Sequence, residues 1–427
     1  MFNWYGQQKI GIVGAANSGK TMLLTSLLWH LENHDPDRFG LKGNRRICNF
    51  HMIGGRDHDF NFQKHKNTMI QKHRWPSKTM DYAIAECNFQ ISGRLCERNV
   101  TFVDIPGERI SDILIWQAKN YQDWVRKLFF FWQSNPENER IMKPYRDFAD
   151  RTDSTLEQLT EGYKRSMWFM LDNYCQITPS TYYLGTDGSM LGDENNSDRE
   201  KAILQRRIWD EGDLLPLPAD WGKAHPAEYR KMEKIFHNYR KKVLKPLFRE
   251  IDDCDHFIFC VDIPGILNNG PSCLLHTQLT FKDFIEALAP SRFMQLLDFI
   301  GRNPPRLAYA ATKSDIVSDP DLLKCLLKDF AGPLNYAGVK QEFFTCSACV
   351  SSEQKSRNGK NVLVGNDSDD PALILTMPEQ LPKEWPNKWD PADYSFPEIA
   401  PKLYAIRPPD QVNLNKIFDF IVEGIRQ

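Results

Sequence analysis

Short apolar runs recur along the chain, each closed by a polar or turn-forming residue. Residues 10–13, 100–104, 257–261, 306–311 and 342–346 are apolar with little alternation, and 82–91 is a further strand candidate. Unbroken runs of this length predict strands buried on both faces, as in a mainly parallel sheet flanked by helices. Residues 21–28 and 414–425 show helical spacing and should pack against that sheet. From Gly107 to the run at 257 lie about 150 residues, far longer than a normal connection in an α/β unit. Helical periodicity dominates there, at 115–131, 156–177, 202–209 and 228–248, with turn punctuation at 135–136, 178–180, 185–197 and 216–226. The expected organisation is therefore an α/β domain from 1–110 and 251–427, interrupted by an inserted all-helical domain at 111–250. Residues 351–409, rich in Pro, Asn, Asp, Lys and Ser, read as a surface insertion with a hairpin-like patch at 362–364 and 373–375.

Composition narrows the class. The 427 residues are 41% hydrophobic and 26% charged, with a net charge of −2, so no strong positive field exists to drive nucleic-acid binding. Ten cysteines show no paired framework and read as reduced thiols in a cytoplasmic protein. Residues 1–8 carry no signal-peptide pattern, and no apolar run approaches the roughly 20 residues that span a bilayer. The expectation is a cytoplasmic protein that does not cross the membrane.

The most informative chemistry follows the first strand. Gly14-Ala15-Ala16-Asn17-Ser18-Gly19-Lys20-Thr21 is a complete G-x-x-x-x-G-K-[ST] loop, and Met22 continues it into a helix. Its glycines let consecutive N–H groups face phosphate oxygens at a helix N-terminus. Lys20 is placed to neutralise the β- and γ-phosphates and Thr21 to ligate Mg²⁺. Asp104-Ile105-Pro106-Gly107 is a D-x-x-G motif at a strand end, in which Asp104 would hold Mg²⁺ through water and the Gly107 N–H would sense the γ-phosphate. Asp262-Ile263-Pro264-Gly265 nearly copies it; motif order assigns Asp104 to the nucleotide and a structural role to Asp262.

Thr312-Lys313-Ser314-Asp315 is a T-K-x-D variant of the base-reading N-K-x-D signature. The Asp315 carboxylate can accept from N1–H and N2–H₂ of guanine, donors that adenine lacks, while the Lys313 stem lies over the base. Ser347-Ala348 with Cys349 follows the last strand and matches the loop whose N–H meets guanine O6. The order of these motifs is that of a G domain, implying GTP or GDP with Mg²⁺. An ATPase in which Asp315 is only a turn residue, a GDP-holding scaffold and a phosphoryl-transfer kinase are the rival readings.

Together with Trp75-Pro76-Ser77-Lys78-Thr79, these motifs resemble the YcjX-like family of P-loop GTP-binding proteins. The resemblance implies a bacterial stress-related switch, with a protein effector, a membrane protein among the candidates, and a location in the cytoplasm or peripheral at the inner membrane. It also points to Thr79 as the switch I threonine that closes on Mg²⁺ and γ-phosphate, with Thr68 as the alternative. Glu108 stands where many GTPases carry a water-orienting glutamine; a carboxylate beside the γ-phosphate predicts slow hydrolysis. Arg109 is a candidate charge stabiliser or a solvent-facing residue. Movement of the loop 104–107 would reach the helical insert, or that insert is a rigid cover.

His51, His58, His65 and His73 invite a metal reading, but sevenfold helical spacing separates neighbours by about 10 Å, too far to share one ion. Cys346-x-x-Cys349 overlaps the base loop and reads as coincidence rather than a redox or metal pair. The aromatic run 128–132 reads as helix-on-helix core, and the basic stretch 231–249 as a solvated face over a buried stripe.

Overall fold

A computed structural model describes residues 8–76, 81–93, 97–133, 136–172, 214–296, 305–334, 339–357, 359–366, 373–376, 380–403 and 407–423. The chain divides into two compact units. The first comprises Met1–Gly107, Ile251–Pro271 and Phe293–Gln427; the second comprises Glu108–Glu250 and Ser272–Arg292.

The first unit is a seven-stranded, mostly parallel sheet flanked by helices. Its strands are β1 (Gln8–Gly14), β2 (Ile47–Ile53), β3 (Ala83–Ile91), β4 (Glu97–Asp104), β5 (His256–Val261), β6 (Arg306–Ala311) and β7 (Lys340–Thr345). They lie in the order β2-β3-β4-β1-β5-β6-β7. β1 pairs in parallel with β4 and β5, and β5, β6 and β7 continue the parallel ladder; β3 runs antiparallel to both neighbours. The apolar runs at 257–261 and 307–311 are accordingly buried at every position. Helix α1 (Lys20–Asn33) seals one face with Leu23, Leu24, Leu27 and Leu28, joined by Phe418 and Ile421 of the closing helix Leu414–Glu423. Toward the far edge, Phe259, Tyr309 and Phe343 of adjacent strands stack ring on ring at 5.3 and 5.2 Å. Helix Pro320–Ala331 adds Leu323, Leu326, Leu327 and Phe330 to the core. It starts where Asp319 accepts hydrogen bonds from the Asp321 and Leu322 N–H groups, with Pro320 in the first turn.

The long polar connection 35–74 holds a strand and a helix that its sequence does not advertise. In β2 the register slips between Cys48 and His51, and Asn49 takes φ +53°, so the apolar positions lose their alternation. Helix α2 (Phe62–Lys72) buries only Phe62 and Met69; it is capped by Asn61, which accepts from Lys64 N–H, and stopped by His73 in the left-handed region. The insertion 351–409 contains a small antiparallel sheet, β8 (Glu353–Arg357), β9 (Lys360–Asn366) and β10 (Leu373–Thr376), in which the two apolar runs pair as neighbouring strands.

Every described element wholly within the second unit is helical. Its core is aromatic: Tyr121, Trp124, Trp132, Tyr145, Tyr163, Trp221 and Phe236 are all buried. The aromatic run 128–132 is split, with Leu128 and Trp132 in this core while Phe130 is 74% exposed. The 216–226 region is more than punctuation. Leu214, Leu215 and Leu217 are fully buried, the Tyr121 hydroxyl donates to Leu215 O and accepts from Leu217 N–H, and the Tyr145 hydroxyl donates to Pro216 O. The expected helix at 202–209 lies outside the described residues.

Candidate functional site

The carboxyl ends of the parallel strands gather the motifs onto one edge of the sheet. β1 lies between β4 and β5, the point where successive connections leave in opposite directions, and open α/β sheets bind ligands beyond the carboxyl ends there. Gly14 leaves β1 opposite Cys260 of β5, and Asp104 ends β4 opposite Ile12. The residues that follow β5, β6 and β7 are Asp262, Thr312 and Cys346.

The loop 14–21 turns tightly into α1. Asn17 and Gly19 adopt φ +62° and +82°, and Gly19 caps the helix. A Cβ on Gly14 would lie 2.3 Å from Ser18 Oγ and 2.6 Å from Cys260 O, so only glycine fits. Lys20 is buried, and its Nζ donates to Gly14 O at 2.9 Å and Ala15 O at 2.8 Å, folding the ammonium back over its own loop. Ser18 Oγ is buried and, among the described residues, has no hydrogen-bond partner. Ala15, Ala16 and Asn17 form the rim, with Asn17 exposed.

Asp104 is completely buried, and the Thr21 hydroxyl donates to its Oδ2 at 2.9 Å. This is an oxygen donor set of hydroxyl plus carboxylate, which suits a hard cation such as Mg²⁺. Gly107 presses on the loop from the other side: a Cβ there would lie 2.4 Å from Ala16 N and 2.5 Å from Ala15 C. The structure thus brings the G-x-x-x-x-G-K-T loop, Asp104 and Gly107 together.

Thr312 sits beside Gly19, its Cβ 3.9 Å from where a Gly19 Cβ would stand. Asp315 is held by serines: Ser347 Oγ donates to Oδ1 at 2.8 Å, and Ser351 N–H and Oγ donate to Oδ2 at 2.9 and 3.1 Å. Ser352 Oγ donates to the Asp315 carbonyl at 2.7 Å. Ser347 itself bridges to Val412 through both backbone groups. Met22, Met69 and Cys349 form one apolar cluster with Ala348 and Leu403, so the loop after β7 packs on the first turn of α1. Lys313, at φ +57°, pairs with Asp262 at 2.5 Å. Burial works against its ammonium, but the carboxylates of Asp262, Glu398 and Asp315 together outweigh it and raise the pKa.

Sequence reading missed Ser351, Ser352 and the Asp262–Lys313 pair. The signal for the serines was their clustering after Ser347; for Asp262 it was the second D-x-x-G itself. Asp262 Oδ1 accepts from Gly265 N–H at 2.9 Å and caps helix Ile263–Asn269.

The remaining candidates have local surroundings of their own, as far as the described residues reach. Thr79 lies outside the described residues, whereas Thr68 is on α2 with its hydroxyl donating to Lys64 O at 2.9 Å. Glu108 opens the 3₁₀ turn Gly107–Asp112, where its carbonyl accepts from Ser111 Oγ at 2.9 Å. Arg109 does not face solvent: its Nη1 donates to the Tyr239 hydroxyl at 2.5 Å, and that hydroxyl donates to buried Asp112. The four histidines are dispersed over β2, the following loop, α2 and its end, and among the described residues no group of three or more His, Cys, Asp or Glu could hold a metal ion. Burial pushes the Cys349 thiol up to about 12 and raises Cys346 as well, leaving both protonated. No helix of the described residues is long and apolar enough to cross a membrane.

No curated protein matches the chain. The model of the YcjX-like family, DUF463, matches residues 8–192 and 202–424, nearly its full length, and the chain belongs to that family.

Proposed function

We propose that the chain is a GTP-binding protein that hydrolyses GTP slowly to GDP and phosphate and acts as a cytoplasmic nucleotide switch. The observation that carries this reading is the Asp315 carboxylate, oriented by Ser347 and Ser351 on the same sheet edge as the loop 14–21. In this reading the sheet unit is a G domain. The N–H groups of residues 14–22 cradle the phosphates, and the Lys20 ammonium leaves the Gly14 and Ala15 carbonyls for the phosphate oxygens. Thr21, Asp104 and Thr79 would hold Mg²⁺, which when bound neutralises charge across the β- and γ-phosphates. Gly107 N–H senses the γ-phosphate. Glu108 positions water poorly, which keeps turnover slow. Thr312, Lys313, Asp315, Ser347, Ala348 and Cys349 surround the base. Family membership supports a stress-related role through a protein effector, a membrane protein being one candidate class.

One observation favours a rival reading. A carboxylate oxygen offers about two acceptor sites, and Asp315 Oδ2 already receives the Ser351 N–H and hydroxyl. Guanine therefore needs the Ser351 hydroxyl to turn away, whereas an ATPase could keep Asp315 as a structural acceptor.

Competition among GDP, GTP, ADP and ATP for nucleotide-free protein with Mg²⁺, repeated on Asp315→Asn, separates the readings. Strong guanine preference that shifts toward xanthine in the variant upholds the GTP reading. Equal or tighter adenine binding, unchanged in Asp315→Asn, replaces it with the ATPase. Tight GDP binding without single-turnover phosphate release leaves the scaffold.

A further inference from the structure

Lys313 is an unusual residue to find in a left-handed conformation, at φ +57° and ψ 35°, two residues past the end of β6. A non-glycine residue held there is strained, so the surroundings must over-determine it. They do so through Asp262, at the end of the neighbouring strand β5. Oδ2 of Asp262 accepts from Lys313 Nζ at 2.5 Å while Oδ1 accepts from Gly265 N–H at 2.9 Å. The aspartate side chain is 13% exposed and that of the lysine 43%, so the carboxylate is enclosed while the lysine side chain keeps accessible surface. Two residues on, Asp315 presents the carboxylate fixed by Ser347 and Ser351.

We infer that Asp262 is a positioning residue for the nucleobase: it anchors the Lys313 ammonium so that the lysine stem stands as a preformed wall beside Asp315. This rests on the nucleotide-binding reading above and adds to it a role for the second D-x-x-G motif. A free lysine side chain carries rotamer entropy that a nucleotide would otherwise have to remove on binding. The ion pair removes it in the free protein. A methylene stem packs on the face of any purine, whereas Asp315 reads the edge. Loss of Asp262 therefore weakens all purine nucleotides by the same factor, and loss of Asp315 changes their ranking.

The competing reading is that Asp262 only caps helix Ile263–Asn269. Asparagine caps a helix as well as aspartate does, so Asp262→Asn keeps the cap and removes the charge that holds Lys313. Dissociation constants and off-rates of fluorescent GDP are measured for the wild type, Asp262→Asn, Lys313→Met and the double variant. Fluorescent xanthosine diphosphate is measured in the Asp315→Asn background with and without Asp262→Asn. The expected result is a roughly tenfold weakening by Asp262→Asn, equal for both bases and carried by the off-rate, with an unchanged melting temperature. The double variant should be no weaker than Lys313→Met. Wild-type affinity retained by Asp262→Asn, while Lys313→Met binds more weakly, confines the aspartate to its cap and overturns the inference alone. Failure of the wild type to bind any purine nucleotide overturns both this role and the reading beneath it.

Discussion

Thr21 Oγ1 and Asp104 Oδ2 lie 2.9 Å apart, joining the first turn of α1 to the end of β4 across 83 residues of sequence. The carboxylate is fully buried, and a buried charge persists only where hydrogen bonds or a cation compensate it. This pair belongs to the proposed Mg²⁺ site. Asp104→Asn should lower single-turnover phosphate release by about 10–100-fold, the usual cost of losing a supporting ligand of a metal. GDP binding in EDTA should be nearly unaffected. Thr21→Ser, which keeps the hydroxyl, should stay close to the wild type. Phosphate release by Asp104→Asn at the wild-type rate removes Asp104 from the site.

Gly107 stacks its Cα against the phosphate-loop backbone, where a Cβ would sit 2.4 Å from Ala16 N. Backbone on both sides leaves nothing flexible to yield, so Gly107→Ala must push the loops apart. We expect a loss of about 1–3 kcal/mol in urea unfolding, the range for overpacking, together with weaker nucleotide binding. Gly332 makes the contrast: among the described residues nothing lies within 4 Å of its Cβ position, and its φ is −50°. Gly332→Ala should stabilise by roughly 0.4–1 kcal/mol through the unfolded chain. Equal effects at the two glycines would contradict the packing described for Gly107.

Much of this was legible because the signals are local. The strands β1, β5 and β6 are unbroken apolar runs, and the loop 14–21 joins a strand to a helix within a dozen residues. β2 was not legible, since a bulge at Asn49 destroys its alternation, and α2 was not, since only two of its residues are buried. The partners of Ser351 and Asp262 were not legible for a different reason: they lie 36 and 51 residues away, brought close by parallel strand order. Arg109 shows the same limit, because a sequence ending in a turn gives no sign of Tyr239, 130 residues on.

Arg109, Tyr239 and Asp112 form a chain of short polar contacts within the helical unit. The Tyr239 hydroxyl accepts from Arg109 and donates to Asp112, and the Arg109 guanidinium also lies 3.8 Å from the Asp112 carboxylate. Tyr239→Phe removes one hydrogen bond from each charged neighbour and should cost about 1–3 kcal/mol in urea unfolding. Arg109→Ala should cost more, because it withdraws a cation facing a fully buried carboxylate. The two losses should be non-additive in the double variant. Phosphate release per folded molecule should survive Arg109→Ala, since the guanidinium is committed to this structural cluster. A stable Arg109→Ala protein with abolished hydrolysis would instead make Arg109 the charge stabiliser.

His30 gives the fold a definite acid sensitivity. It lies on α1, 2% exposed, with Nε2 3.0 Å from Pro409 O and its ring stacked on Phe39 at 5.1 Å. Burial lowers its pKa to about 4, against the upward pull of the Pro409 carbonyl. The unfolded imidazole titrates near 6.5, so between these values the unfolded chain binds the extra proton. The contribution of neutral His30 is therefore complete above pH 6.5 and is lost as the pH falls toward 4. By pH 4.5 the loss amounts to roughly 2–3 kcal/mol. His30→Gln keeps a donor for Pro409 O but cannot titrate in this range. Asp283, raised to about 6 chiefly by burial, acts with the opposite sign, but it is common to both proteins and cancels in their difference. Unfolding free energies of wild type and His30→Gln, measured by urea at pH 7 and 4.5, should converge by roughly 2–3 kcal/mol on acidification. A difference independent of pH would mean that His30 is protonated as readily in the fold as in the unfolded chain.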